Sequence, residues 1–291
     1  MTRIPPRLIR SFGACAALAA IASLLVATSR EAGAGPPAIR DSVRTIAPGL
    51  TLRRIVDLGT PQRTFVLTLD RSQPLTLDVT LALGDHLAGY ARTSEMAANA
   101  GAIAAVNGDF TIPGGHPYHP FAEDGNLVQT SETPGWEFAP TIDEEGAFFG
   151  RPDQSVTAEV LSTGETLTVD RWDFGPPEPG EIAAFSPSGG DAETPPAGAC
   201  SAHLVPVSPP APADPDGVQR TYTVDATACD RSPMAVAGGV VLSALPGTDE
   251  AIRLLSLRVG EQIRLTWSFG WPGVFDAIGG GPALVTDGRI A

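Results

Sequence analysis

Apolar and polar residues alternate at period two along much of this chain, and that pattern directs it toward pleated strands. LTLRRIV at Leu50–Val56, TFVLTLD at Thr64–Asp70 and LTLDVTLAL at Leu75–Leu83 point successive side chains to opposite faces, so a three-strand meander is expected. QRTYTVDA at Gln219–Ala226 and the runs at Leu257–Gly260 and Gln262–Phe269 repeat the pattern. Further strands are expected at Gly146–Phe149, Val156–Leu161, Leu167–Val169, Ile182–Phe185, Val274–Ile278 and Ala283–Val285. Helix signals are few. Thr93-Ser94-Glu95-Met96 opens one that ends at Gly101, and Asp249–Ser256 has the composition of another. Proline density between Phe174 and Pro179 and between Pro206 and Gly217 suits surface loops. Neither stretch separates two distinct cores. There are no heptads, no fixed-period repeat and no glycine-rich phosphate loop.

One segment concentrates chemistry. AIAAVNGDFTIPGGHPYHP, Ala102–Pro120, begins with an apolar run of strand length that follows directly on the first helix, which predicts a helix packed on a sheet. At Asn107-Gly108, a pair favouring left-handed backbone, polar groups appear abruptly: Asn107, Asp109, His116 and His119, with Tyr118 among them. Gly114 and Gly115 allow the backbone close approach to a ligand. An ordinary turn and a site both fit this spacing. His116 and His119 stand at i, i+3, but no third ligand is in view, so no metal is expected.

The N-terminus reads as a targeting segment. Arg3, Arg7 and Arg10 precede an apolar run from Phe12 to Thr28, and Ala32-Gly33-Ala34 offers a peptidase site, so residues 1–34 are expected to be a cleaved secretory signal. An uncleaved anchor is the alternative reading. Removing 34 of 291 residues leaves 257, a domain spanning 35–291, with no second run of that apolar length. The removed segment holds four Arg and one Glu, so the net charge moves from −14 to −17. That surface disfavours nucleic acid but permits a small anionic substrate in a local basic pocket. Cys15 departs with the signal, leaving Cys200 and Cys229 in an oxidising compartment, where a disulfide is expected.

The C-terminal stretch bends tightly at Gly279-Gly280-Gly281-Pro282 and carries a hairpin signal at Asp287-Gly288, after which only Arg289, Ile290 and Ala291 follow. A frayed end and a domain continuing past residue 291 are both compatible with this.

RTSEMAANAGAIAAVNGDF, AEDGNLV and FDAIGGGPALVTDGRI, taken together in this order, resemble the phosphodiester glycosidase family, over about residues 40 to 291. The resemblance implies an α+β fold of strand-rich mixed sheets with few helices, and a site where the two glycine-bearing segments approach each other. It implies hydrolysis of a sugar-1-phosphodiester to free sugar and a phosphomonoester. Asn107, Gly108 and Phe110 fall on the family's Asn-Gly-x-Phe motif, and Gly279, Gly280, Gly281 and Pro282 on its GGGP motif. Asp109 occupies a position that varies among relatives, and Thr111 replaces a frequent second Phe. The family's later segments, ending in an Asp-Gly-Gly-Gly-Ser motif, have no counterpart here. An incomplete domain is therefore expected, either inactive alone or served by a separately encoded C-terminal half.

That chemistry needs carboxylates around an oxocarbenium-like centre and donors for the departing phosphate. Asp109 and Asp276 are the candidate carboxylates. Asn107 and Gly108 are candidates for the sugar, the Gly279–Gly281 backbone for phosphate as a concave nest, and Arg92 and Arg289 for phosphate as cations. No cofactor is expected. The rival class is a secreted carbohydrate-binding or envelope-associated module without turnover.

Overall fold

The computed structural model describes residues 39–84, 86–131, 137–140, 147–150, 153–207, 217–229, 234–236, 238–270, 274, 276–280, 285–286 and 289–290. The expected signal segment, Gly281 and the Asp287-Gly288 turn lie outside the described residues. Two compact units are present, one drawn from residues up to Arg44 with Leu52–Leu67, the other from Thr45–Thr51 with Thr68–Ala291.

A three-strand meander forms, but shifted along the chain: β1 (Ile39–Ala47) stands where no strand was expected, β2 (Leu50–Asp57) and β3 (Gln62–Leu69) match the first two expected strands, and the sheet runs in that order without the expected third at Leu75–Leu83. In the first unit most of these side chains are exposed, and Arg53 forks onto Asp41 through Nε at 3.0 Å and Nη2 at 2.5 Å.

After β3 the second unit continues with α1 (Thr93–Asn99), then β4 (Phe121–Glu123), β5 (Asn126–Gln129), β6 (Glu137–Pro140), β7 (Ala147–Gly150), β8 (Ser155–Val160), β9 (Glu165–Thr168), β10 (Arg171–Trp172) and β11 (Ala183–Phe185). After these come β12 (Cys200–Pro206), β13 (Val218–Cys229), β14 (Val240–Ala244), α2 (Asp249–Ser256), β15 (Gln262–Ser268), β16 (Ile278–Gly279), β17 (Val285–Thr286) and β18 (Arg289–Ile290). Eight of the strands make one sheet in the order β10-β11-β14-β12-β13-β15-β8-β9, antiparallel except between β10 and β11.

Alternation supplies its core. Val156, Ala158 and Val160 of β8 lie opposite Trp267, Leu265 and Ile263 of β15, and all six are buried on one face with Ala202 and Leu204 of β12. α2 covers that face with Ala251 and Leu254, an i, i+3 pair. Its first turn is set by Thr248 Oγ1, which accepts from Ala251 N at 3.2 Å, and by Asp249 and Glu250 at the positive end of the helix dipole. On the other face Ala183, Phe185 and Val241 gather under Met234 and Val236.

Cys200 and Cys229 are directly opposed in the β12–β13 ladder and form the expected disulfide. They are 29 residues apart in sequence. In the chain-entropy account, closing such a loop stabilises by roughly 3–4 kcal/mol. Replacing both with alanine is expected to lower unfolding free energy by about that amount. Urea denaturation of the two proteins tests it; an unchanged midpoint contradicts it.

The α+β expectation is corrected: the described residues are mostly β, with two α-helices of 7 and 8 residues among them, and α1 buries none of its side chains. No helix packs on a strand at Ala102–Val106, because that segment is not a strand. Ile103 and Val106 are 57% and 73% exposed and take part in no ladder. Leu75–Leu83 is likewise unpaired, although Val79 and Leu81 are buried beside Leu87, Phe121 and Val128. Leu257–Gly260 forms the turn that leads into β15, and among its described residues Val274–Ile278 contributes Ala277 as a bridge and Ile278 to β16. Alternation gives a segment a strand's faces, but a strand exists only where another segment offers its hydrogen bonds.

Candidate functional site

The segment after Asp109 folds back on itself. Tyr118 N donates to Phe110 O at 2.8 Å, Ile112 N to His116 O at 3.0 Å, and Thr111 bridges Pro117. Gly114 and Gly115 turn the tip at φ of 100° and 88°, and a Cβ on Gly115 would stand 2.1 Å from Gly89 O, so glycine is required there for both conformation and space. Gln129 on β5, fully buried, donates through Nε2 to Pro117 O at 2.8 Å and ties the loop to the β4–β5 hairpin. The fold-back returns His119 to Asp109, ten positions earlier.

Asp109 Oδ1 accepts from Phe110 N at 2.7 Å and lies 2.6 Å from His119 Nδ1; Oδ2 accepts from His119 N at 2.6 Å. Both side chains are nearly closed to solvent, at 4% for Asp109 and 9% for His119. Tyr118 meets the imidazole edge to face at 4.9 Å between centroids.

The two glycine-bearing segments do come together. A Cβ on Gly279 would fall 2.2 Å from His119 Cβ, and one on Gly108 would fall 2.0 Å from Ile278 Cδ1. Neither glycine has positive φ, so each is required for closeness rather than for backbone freedom. Asn107 has no left-handed backbone either; it is exposed, and its Oδ1 accepts from Thr93 Oγ1 at 3.3 Å.

Asp276 is placed by the same strand. Ala277 exchanges two 2.9 Å main-chain bonds with Ala122, which brings Asp276 beneath the Asp124-Gly125 turn, where Oδ1 accepts from Asp124 N at 2.9 Å. The residue is 1% exposed, and Oδ2 has no hydrogen-bond partner among the described residues. Burial pushes this carboxyl up to about 6; the Asp124 amide opposes the shift, and the negative charges of Asp78 and Asp124 add to it.

Gly280 lies past the last pair of the β16–β6 ladder, which joins Gly279 to Glu137. Arg92 caps the start of α1, its N–H donating to Glu95 Oε2 at 3.2 Å, and no contact among the described residues joins it to Asp109 or Asp276. Arg289 belongs to β18, paired with Thr286 of β17. The two histidines have separate carboxylate partners, His116 Nδ1 standing 3.7 Å from Glu193 Oε1. Among the described residues no group of three ligands gathers around them.

Glu193 and Asp173 were not legible as site-forming residues. Asp173 is fully buried at φ 45° and accepts from Ser186 N and Ser186 Oγ. Burial drives its carboxyl well above the ordinary aspartate range, Ser186 opposing and the charge of Glu193 adding. Glu193 Oε2 accepts from Gly175 N at 2.8 Å, so this acidic pair connects the β10 end to His116. Nothing local in the sequence marks either residue.

No protein-family model and no curated protein matches the chain. Its fold is similar to the crystal structure of a hypothetical protein from Synechocystis, with a TM-score of 0.59 at 17% identity, covering 88% of this chain and 46% of that one. The chain thus spans about half the length of that protein, and at this identity the likeness is one of fold.

Proposed function

We propose that the chain is a secreted hydrolase of sugar-1-phosphodiesters, with the signal segment removed and residues 35–291 forming the domain that acts. The observation that carries this reading is the seating of Gly279 on the Asp109-bound His119 and of Gly108 on Ile278. The two segments that resemble the glycosidase family are far apart in sequence and adjacent in space. Asp109 and Asp276 supply the carboxyl groups, Asn107 and Gly108 face the sugar, and the Gly280 backbone past the end of β16 faces phosphate, with Arg92 and Arg289 as the cations nearest in sequence to the two segments. The disulfide is compatible with an extracellular setting. Among the described residues no helix is long and apolar enough to cross a membrane.

A carbohydrate-binding module is the second reading, favoured by aromatic rings exposed around the same loop. Tyr90 is 68%, Phe110 65% and Tyr118 40% exposed, and such rings offer stacking faces to a sugar. A separately encoded second half belongs to the proposal as partner, with exposed Ile103 and Val106 as apolar surface for it. The protein incubated with a sugar-1-phosphodiester, alone and beside a longer form carrying any coding sequence that follows, is expected to release reducing sugar in at least one form. Retention on immobilised glycan without release from either form favours the binding module and ends the hydrolase reading.

A further inference from the structure

We infer that His119 transfers the proton in this site and that Asp109 is its positioning residue; the inference rests on the hydrolase reading above. Asp109 is the obvious carboxylate from sequence, yet its geometry suits holding better than attacking. Oδ1 is engaged by Phe110 N and His119 Nδ1, Oδ2 by His119 N, and the side chain is 4% exposed. A carboxylate oxygen accepts, so at 2.6 Å the facing Nδ1 carries the proton, a charge-assisted bond of the short class. In a neutral imidazole the other nitrogen then has a free lone pair. The bonds of His119 among the described residues use its N, O and Nδ1, and Nε2 is not one of the closed-off atoms, so it is left open to solvent.

The described groups that meet the ring support that tautomer or are indifferent to it. Asp109 is the charged group facing His119 from its own loop. Tyr118 contributes a ring edge, and β16 contributes Gly279, whose missing side chain lets the strand lie against the Cβ, Cγ and Nδ1 side of His119. Second anchors keep the ring from swinging: the main-chain bond from His119 N to the same carboxylate, and the bond from Gln129 Nε2 to Pro117 O two residues before. A base oriented by a carboxylate is the arrangement general acid–base catalysis requires.

The step balances with water as co-reactant. Nε2 takes one proton from water as the water oxygen bonds to the anomeric carbon of the sugar. The bond from that carbon to the phosphate oxygen breaks, and its electron pair leaves with the phosphate. The imidazolium, paired with Asp109, returns the proton to the released phosphomonoester, and the ring is neutral again. Sugar gains a hydroxyl, and no oxidant or reductant enters.

The test uses the whole chain, in the form that releases sugar, and measures reducing sugar from a sugar-1-phosphodiester. His119→Ala and His119→Gln are expected to lower kcat by roughly 10²-fold or more with little change in KM. Free imidazole is expected to restore a measurable part of the His119→Ala rate, which a purely structural role would not allow. Asp109→Asn is expected to lose roughly 10²–10⁴-fold, because an amide no longer selects the tautomer. Circular dichroism establishes that the variants are folded. Parental kcat in both His119 variants, or a folded His119→Ala protein that imidazole does not rescue, overturns the inference and leaves the hydrolase reading intact. A parent that releases no sugar in any form overturns both.

Discussion

Replacing Gly279 with alanine is expected to inactivate the protein while leaving its main sheet folded. The new methyl would stand 2.2 Å from His119 Cβ and 2.6 Å from Cγ and Nδ1, far inside contact distance. His119 has no room to yield, since its main-chain N–H and its Nδ1 are both bound to Asp109. Either β16 lifts or the imidazole leaves the carboxylate. Overpacking of this kind costs about 1–3 kcal/mol, which in a domain of this size lowers Tm by roughly 2–12 °C. Displacing the ring by about 1 Å is expected to lower turnover by roughly 10²-fold. The matched comparison is Gly108→Ala, whose Cβ would meet only the Ile278 side chain, Cδ1 at 2.0 Å and Cγ1 at 3.0 Å, a flexible group rather than backbone. That variant is expected to lose less than about 1.5 kcal/mol. Thermal melts on the two variants decide the matter, and equal losses of stability would mean that Gly279 does not lie against the histidine.

The second large effect concerns Asp276 and pH. Its folded-state value of about 6 stands above the ordinary 3.8, so between these values the folded protein binds more protons than the unfolded chain. The contribution of this group to stability is fully present below about pH 4 and is lost as pH rises through about 6, a decline of roughly 3 kcal/mol. Asp276→Asn removes the charge while its amide oxygen still accepts from Asp124 N. The variant is expected to lack this decline, and at pH 7.5 to be more stable than the parent by up to about 2 kcal/mol, once about 1 kcal/mol is allowed for burying an unpartnered amide N–H. Turnover should fall in the same variant, a trade of stability against function. Because Asp173 titrates in both proteins, the measurement is the difference between parent and variant in urea midpoint from pH 4 to 7.5. A difference that stays constant across that range would rule out an elevated Asp276.

Several elements were legible because their causes are local. Thr248 followed by Asp249 and Glu250, with Ala251 and Leu254 three apart, is a helix start with one apolar stripe, and α2 occupies the residues this predicts. In β8, β13 and β15 the alternation matched the buried face closely enough to identify strands. The disulfide followed from cysteine count and compartment, and the β12–β13 register places its two residues opposite each other. The convergence of Gly108 and Gly279 upon one loop was expected from resemblance alone. Ala102–Val106 shows where local pattern stops: three of its five residues are alanines, with weak strand preference, and no neighbouring segment pairs with it.

By itself the amino-acid sequence determined which segments have one apolar face, where glycine and proline interrupt them, which cysteines pair and which polar residues crowd the Asn107–His119 loop. Those properties depend on a few neighbouring residues. Only the tertiary structure decided that Asp109 holds His119, that Asp276 lies buried with an oxygen unmatched among the described residues, that Glu193 stands beside His116 while Asp173 is buried against Ser186, and that the described residues are mostly β. Each of these depends on contacts between segments distant in the chain, where burial and hydrogen-bond partners are set by what else folds against the residue.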